Sequence, residues 1–254
     1  MPKIRVIARI DVKNEFAIKG IQLEGLRKVG DPNDLAKKYY NEGVDEIIFM
    51  DAVAAYYDRN SLSHIIKKAC DDVFVPITVG GGIRKIDDIS LALKSGADKV
   101  AINTAAVRNP DFITEAKMIF GSQCIIGSIE AKQTGPNKWE VYTDNGREPS
   151  GKDVIDWAHT LVDLGVGEIL VTSIDREGTK KGYDLGLMKQ ISEEINIPVI
   201  ASGGPGNLNH IKDLHDSAAI DGACLSTILH YDIHSIQEVK SFLLSNHIEV
   251  RKGD

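Results

Sequence analysis

The sequence predicts an α/β protein folded as a single (β/α)8 TIM barrel, and three observations carry that prediction. Short β-branched runs alternate with longer amphipathic stretches eight times along the 254 residues, the rhythm of repeated strand–helix units. The runs are apolar throughout, as parallel strands covered by helices require. The chain also repeats itself. "PITVGGG" from Pro76 and "PVIASGG" from Pro198 place glycine pairs 122 positions apart, from Gly81 to Gly203. A matched pair of four-unit halves closes into a barrel, whereas an open doubly wound sheet would leave edge strands.

Eight strands are expected to start near Arg5, Glu46, Pro76, Asp98, Cys124, Glu168, Pro198 and Asp221. Helical stretches separate them. In "DPNDLAKKYYNEG", Asp31 suits the cap, Pro32 the first turn and Gly43 the C-terminal stop, and "NPDFITEAKMIFG" from Asn109 follows the same grammar. Further echoes pair "RIDVKN" with "SIEAKQ", which sets Asp11 and Glu130 119 positions apart, and "INTA" with "CLST". The whole of 1–254 therefore reads as one barrel, with half-barrels at about 1–122 and 123–254. A polar insertion at about 133–148, with "KWEVYT" before Asn145-Gly146, reads as a hairpin on the rim.

The bulk numbers exclude several classes. A net charge of −7 argues against general nucleic-acid or anionic-membrane binding. No run reaches the roughly 18 apolar residues of a membrane helix, so a cytoplasmic protein is expected. Cys70, Cys124 and Cys224 share no CxxC spacing, and the seven histidines form no HxH or HExxH pattern. Neither a metal site nor a cofactor is indicated.

A glycine pair just past a strand lets a phosphate approach bare N–H groups. Two such pairs predict two cradles. One comprises Gly81, Gly82, Asn103 and Thr104, the other Gly178, Gly203, Gly204, Ser226 and Thr227. Their simpler role would be tight turns alone. Two matched cradles call for a long ligand with a phosphate at each end.

Asp11 and Glu130 end strands one and five, opposed across an eight-membered ring, where they can divide acid and base duties. Capping the next helix, or pairing with Lys19, is the plainer alternative. Lys19, a third candidate catalytic residue, lies in a glycine-bearing loop long enough to fold over the mouth, where the charge expected of the ligand gives it weight; a merely solvated lysine is the plainer alternative. Asp51, Thr78 and Asp175 are expected to line the pocket. At the opposite end, Arg5, Glu46, Lys99 and Glu168 start strands one, two, four and six. They form either a stabilising ring or a charged gate that a small neutral molecule can pass.

The ordered motifs "IDVKN", "IKG", "LRKVGDP", "TVGGGI", "GADKVAINTAAV", "FGSQ", "TSIDREGT", "GYD" and "IASGG" resemble the cyclase subunit of imidazole glycerol phosphate synthase over nearly the whole chain. The resemblance implies a (β/α)8 barrel in heterodimer with a glutaminase subunit on the N-terminal face. Ammonia from that partner would pass through the barrel to a bisphosphorylated substrate. The products would be imidazole glycerol phosphate and aminoimidazole carboxamide ribotide, with Asp11 and Glu130 at the catalytic positions and Arg5, Glu46, Lys99 and Glu168 as the ammonia gate.

Two departures from the family stand out. Its second catalytic carboxylate is an aspartate where this chain has Glu130, and a methylene moves an acid by roughly 1 Å, enough for a large rate effect. "MDAVAAYYDRNSL" after Asp51 is bulkier and more aromatic than the family's stretch. Both features resemble a branch that relays ammonia to a separate sugar-amidating enzyme in surface-polysaccharide synthesis. A phosphosugar isomerase on the same barrel is a third reading, against which the gate residues argue.

Overall fold

The computed structural model describes residues 3–54 and 62–251. Eight parallel strands close into a barrel: β1 (Arg5–Lys13), β4 (Glu46–Asp51), β5 (Ile77–Gly80), β6 (Lys99–Ile102), β7 (Ile125–Gly135), β10 (Glu168–Ser173), β11 (Val199–Ser202) and β12 (Gly222–Leu225). The ring shuts where β12 pairs with β1, Arg5 opposite Gly222, and where β7 pairs with β10, Ile126 opposite Glu168. Each barrel strand begins within one residue of its expected start.

Four strands lie outside the ring, on the rim where the barrel strands end. The stretch after β1 is a hairpin, β2 (Phe16–Ile21) and β3 (Glu24–Gly30), with β2 antiparallel to the end of β1. The polar insertion is larger than a hairpin. β7 continues into β8 (Lys138–Thr143) and β9 (Glu148–Asp153) as a three-stranded meander. Its alternation docks it, since Trp139, Val141 and Thr143 turn inward and the Trp139 indole donates to Asp184 Oδ2 at 2.9 Å.

Helices wrap the outside, and local chemistry sets their ends. Asp31 accepts from the N–H groups of Asn33 and Asp34 at 2.8 and 3.1 Å, Pro32 opens the helix Pro32–Asn41, and Gly43 leaves it at a φ of 85°. The aromatic stretch after Asp51 falls mostly at 55–61, outside the described residues.

Two apolar clusters stabilise this arrangement. The larger packs the helices against the outer strand faces, while Ile7, Ile48, Ala101, Ile126, Leu170, Ile200 and Cys224 fill the lumen as a layer of their own. A recurring aspartate ties the strand starts together. Asp45, Asp98 and Asp221 immediately precede β4, β6 and β12, and accept from Val6, Ile77 and Val199 N–H at 2.7, 2.8 and 2.9 Å. Each satisfies a strand-end donor that the ladder leaves unpaired.

Asp45 also receives the buried Lys240 ammonium at 2.6 Å, which fastens the last helix, Ile236–Ser245, to the first strands. Removing one member of a buried pair leaves the other charge uncompensated. Asp45→Ala is therefore expected to lower the unfolding free energy by about 3–5 kcal/mol, measured by denaturant titration. A loss below about 1 kcal/mol would assign the staple no structural weight.

Candidate functional site

Side chains alternate along a strand, so every second residue of β1 faces the barrel axis. Arg5, Ile7, Arg9 and Asp11 stack upward in that order. The bottom layer is a closed ring of charge. Arg5 Nη1 meets Glu46 Oε2 at 2.8 Å, Lys99 Nζ lies 3.1 Å from both Glu46 Oε1 and Glu168 Oε2, and Arg5 Nη2 closes the circuit on Glu168. Thr78 belongs here as well and does not line the pocket as expected. Its hydroxyl donates to Glu46 Oε1 at 2.9 Å, because β5 has only four residues and its second position falls at ring level. Above the ring comes the apolar layer.

Above that layer the lumen turns polar. Arg9 lies buried, at 2% exposure, with Nε 2.7 Å from Asp11 Oδ1 and Nη1 3.0 Å from Thr172 Oγ1 and 3.4 Å from Ser202 Oγ. Burial opposes ionisation of Asp11, but Arg9, followed by Lys19 at 3.5 Å, holds its carboxyl below the usual carboxylate range. Glu130, on β7, behaves oppositely. Burial pushes it up to about 7, against the pull of Arg9 and of the Gly146 N–H that donates to Oε2 at 2.7 Å. The Asp144–Gly146 turn, left-handed at all three residues, reaches back to hold the longer side chain.

Lys19 is not a solvated lid lysine. It is 3% exposed and pairs with Glu177 as well as Asp11, because the β2–β3 hairpin lies down over the mouth. The hairpin's Gln22 N–H donates to Glu177 O at 2.8 Å, and its amide donates to Asp175 O at 3.2 Å. Asp175 serves the rim in the same way, accepting from Gln133 N–H at 2.8 Å.

The two glycine groups come together as two clusters. Gly81, Gly82, Asn103 and Thr104 line a cavity of about 270 Å³ that Asp51 and Glu130 also reach. Gly178, Gly203, Gly204, Ser226 and Thr227 surround a small chamber of about 10 Å³. Gly178 and Thr227 also border a neighbouring cavity of about 540 Å³, where Lys19, Arg27 and Lys180 bring positive charge. The clusters match in detail. Gly81 and Gly203 have φ of 85° and 95°, and a Cβ on either would run into the backbone of Asp51 or Ser173. Tight turning thus demands these glycines whether or not a ligand binds. The polar atoms beside them carry different information: Asn103 Oδ1 and Ser226 Oγ, at corresponding positions after β6 and β12, are buried without a hydrogen-bond partner.

Arg9, Glu177 and the cations Arg27 and Lys180 are site residues that the sequence reading did not single out. Arg9 carried a signal, as a charged residue inside an otherwise apolar strand. Among the described residues, no group of three or more His, Cys, Asp or Glu could hold a metal ion.

A family model described as histidine biosynthesis protein matches residues 5–235. A protein of Legionella pneumophila described as imidazole glycerol phosphate synthase subunit HisF is 58% identical over 212 residues, 84% of this chain and 100% of the relative. The order of motifs, the closed eight-strand barrel and these similarities agree: the chain belongs to the histidine biosynthesis protein family.

Proposed function

We propose that this chain is the cyclase subunit of an imidazole glycerol phosphate synthase. It takes ammonia from a glutaminase partner and a bisphosphorylated ribulosyl-formimino-aminoimidazole carboxamide ribotide, and yields imidazole glycerol phosphate and aminoimidazole carboxamide ribotide. The observation that carries this reading is the pair of buried carboxyls at one mouth with unlike partners. Asp11 sits against Arg9 and Lys19, which hold it below the usual carboxylate range, while Glu130 accepts from the Gly146 N–H and burial pushes it up to about 7. A ring closure that begins with attack of ammonia on a carbonyl needs both a base for the nitrogen's proton and an acid for the departing oxygen. Asp11 fits the base and Glu130 the acid. Lys19 closes the mouth against water and supplies positive charge beside Asp11.

The two clusters flank this pair and suit the two phosphates of an elongated substrate. The first offers the Gly81–Gly82 turn with Asn103 and Thr104. The second offers Gly178, Gly203, Gly204 and the unpartnered Ser226 hydroxyl, with cations at its outer edge. The correspondence between the clusters supports an organisation into half-barrels at about 1–122 and 123–254. Asp51 lines the first cavity; Asp175 supports the rim.

At the barrel's base, the ring of Arg5, Glu46, Lys99 and Glu168 encloses the axis and serves as the gate for ammonia. The partner docks there. Phe74 and Met118, in or just before loops that enter barrel strands from below, are 75% and 80% exposed, and Ile119 is exposed as well. The complex is a cytoplasmic heterodimer; no described helix is long and apolar enough to cross a membrane. A relay-only role gains no support from the relative described as a synthase subunit.

The deciding assay supplies the purified chain with ammonium and the bisphosphate substrate and looks for imidazole glycerol phosphate. Product formation is expected, and Asp11→Asn is expected to lower turnover by about 10²–10⁴-fold; wild-type chain that forms no product overturns the cyclase reading. Expressed per neutral ammonia, the rate should fall as pH rises through about 7, where the Glu130 acid loses its proton. Glu130→Gln should abolish that decline along with most of the activity. A decline unchanged in this variant would remove Glu130 from the acid's role.

Lys99→Ala opens the ring without touching the mouth. Ammonium-dependent turnover should persist, while product formed per glutamine hydrolysed by the assembled complex should drop. Unaltered coupling would argue against a gate.

A further inference from the structure

Arg9 is a guanidinium buried inside the barrel lumen above the apolar layer, and its surroundings give it a specific task. It stands between the apolar layer and the mouth, reaches from β1 across to Thr172 on β10 and Ser202 on β11, and bonds Asp11 through Nε. We propose that Arg9 is a positioning residue for the reaction: anchored to two hydroxyls on other strands, it holds the Asp11 carboxylate in place and aims it at the mouth. This inference rests on the cyclase reading for its purpose, but not for its measurement.

The argument is geometric. A guanidinium is always charged and presents its donors in a rigid plane. With Nη1 shared between two hydroxyls on other strands, that plane cannot swing, and the remaining Nε–H fixes one oxygen of Asp11. Thr172 and Ser202 are neutral, so neither competes for the charge. Two cations approach Asp11, and they differ in permanence. Lys19 arrives on the β2–β3 hairpin and is shared with Glu177, so its contact depends on the hairpin lying closed. Arg9 is two residues away on the same strand, so its pairing survives any movement of the rim.

The other titratable groups around the pair act as follows. Glu130 lies on the opposite side of the mouth, Glu177 faces both Lys19 and Arg9, His230 after β12 is neutral near pH 7 because burial and Lys19 lower it to about 4, and the buried Cys224 thiol is raised to about 12. None of these supplies a cation beyond Arg9 and Lys19. Removing Arg9 would leave a buried carboxyl dependent on the hairpin alone, and burial would then push Asp11 upward toward the behaviour of Glu130.

The test follows the Asp11 carboxyl carbon by carbon-13 NMR across a pH titration of the full chain, with the ammonium-dependent pH profile recorded alongside. In Arg9→Met, which keeps bulk without charge, the Asp11 midpoint should rise by about 1–3 pH units. The acid limb of kcat should move with it while KM changes little. Arg9→Lys should restore most of the midpoint and only part of kcat, since an ammonium keeps the charge but loses the planar grip. Should Arg9→Met fail to fold, Thr172→Val, which releases one anchor of the guanidinium, should give a smaller rise in the same direction. An Asp11 midpoint that stays at its wild-type value in the folded variants overturns the proposal. Absence of product from the wild-type chain would sink the cyclase reading and leave the titration result standing.

Discussion

Ring closure is the constraint on which everything else depends. Once β12 lies beside β1 and β7 beside β10, every barrel strand must send alternate side chains to a common axis, at heights set by register. The axis becomes a stack: charged ring, apolar layer, Arg9 with its hydroxyl partners, then the mouth with Asp11 and Glu130. β10 repeats the sequence of layers as Glu168, Leu170 and Thr172, while β4 supplies Glu46 and Ile48 and β6 supplies Lys99 and Ala101 to the lower two. The charged ring and the mouth that holds Asp11 and Glu130 are therefore two ends of the same strands.

Much of this was legible in the sequence, for identifiable physical reasons. Five of the eight barrel strand starts were marked by a preceding Asp or Pro, and the aspartates turned out to be staples that satisfy neighbouring N–H groups. The ring of four was readable because charge at the start of an apolar strand has few other places to go. The β2–β3 hairpin was not. Its turn runs through Gln22 and Leu23, at φ of 52° and 64°, where a hairpin signal would be Asn-Gly, so the segment read as loop. Thr78 was placed at the wrong height for want of a strand length. Arg9 stood out as a charge inside an apolar strand, but its partners, like those of Glu177, lie across the barrel, and no local pattern names them.

The acid pair illustrates how burial is turned to use. A carboxyl withdrawn from water takes up its proton unless a cation holds it ionised. Asp11 has Arg9 and Lys19 close by; Glu130 has a backbone N–H and a more distant Arg9, and settles near neutrality. The longer glutamate side chain does not float. The meander turn at Gly146 bends inward to meet it, so the added methylene is accommodated by the rim. The network of Arg9, Asp11, Lys19 and Glu177 gains little net stability from its ion pairs, since desolvation offsets much of the attraction, and its value lies in orientation.

The central claim is that the two halves present corresponding anion cradles on either side of this acid pair. Crystals grown with inorganic phosphate test it most directly. The account predicts bound phosphate at both places, beside Gly81, Gly82, Asn103 and Thr104 and beside Gly178, Gly203, Gly204, Ser226 and Thr227. Phosphate at one cradle alone, or at neither, would contradict it.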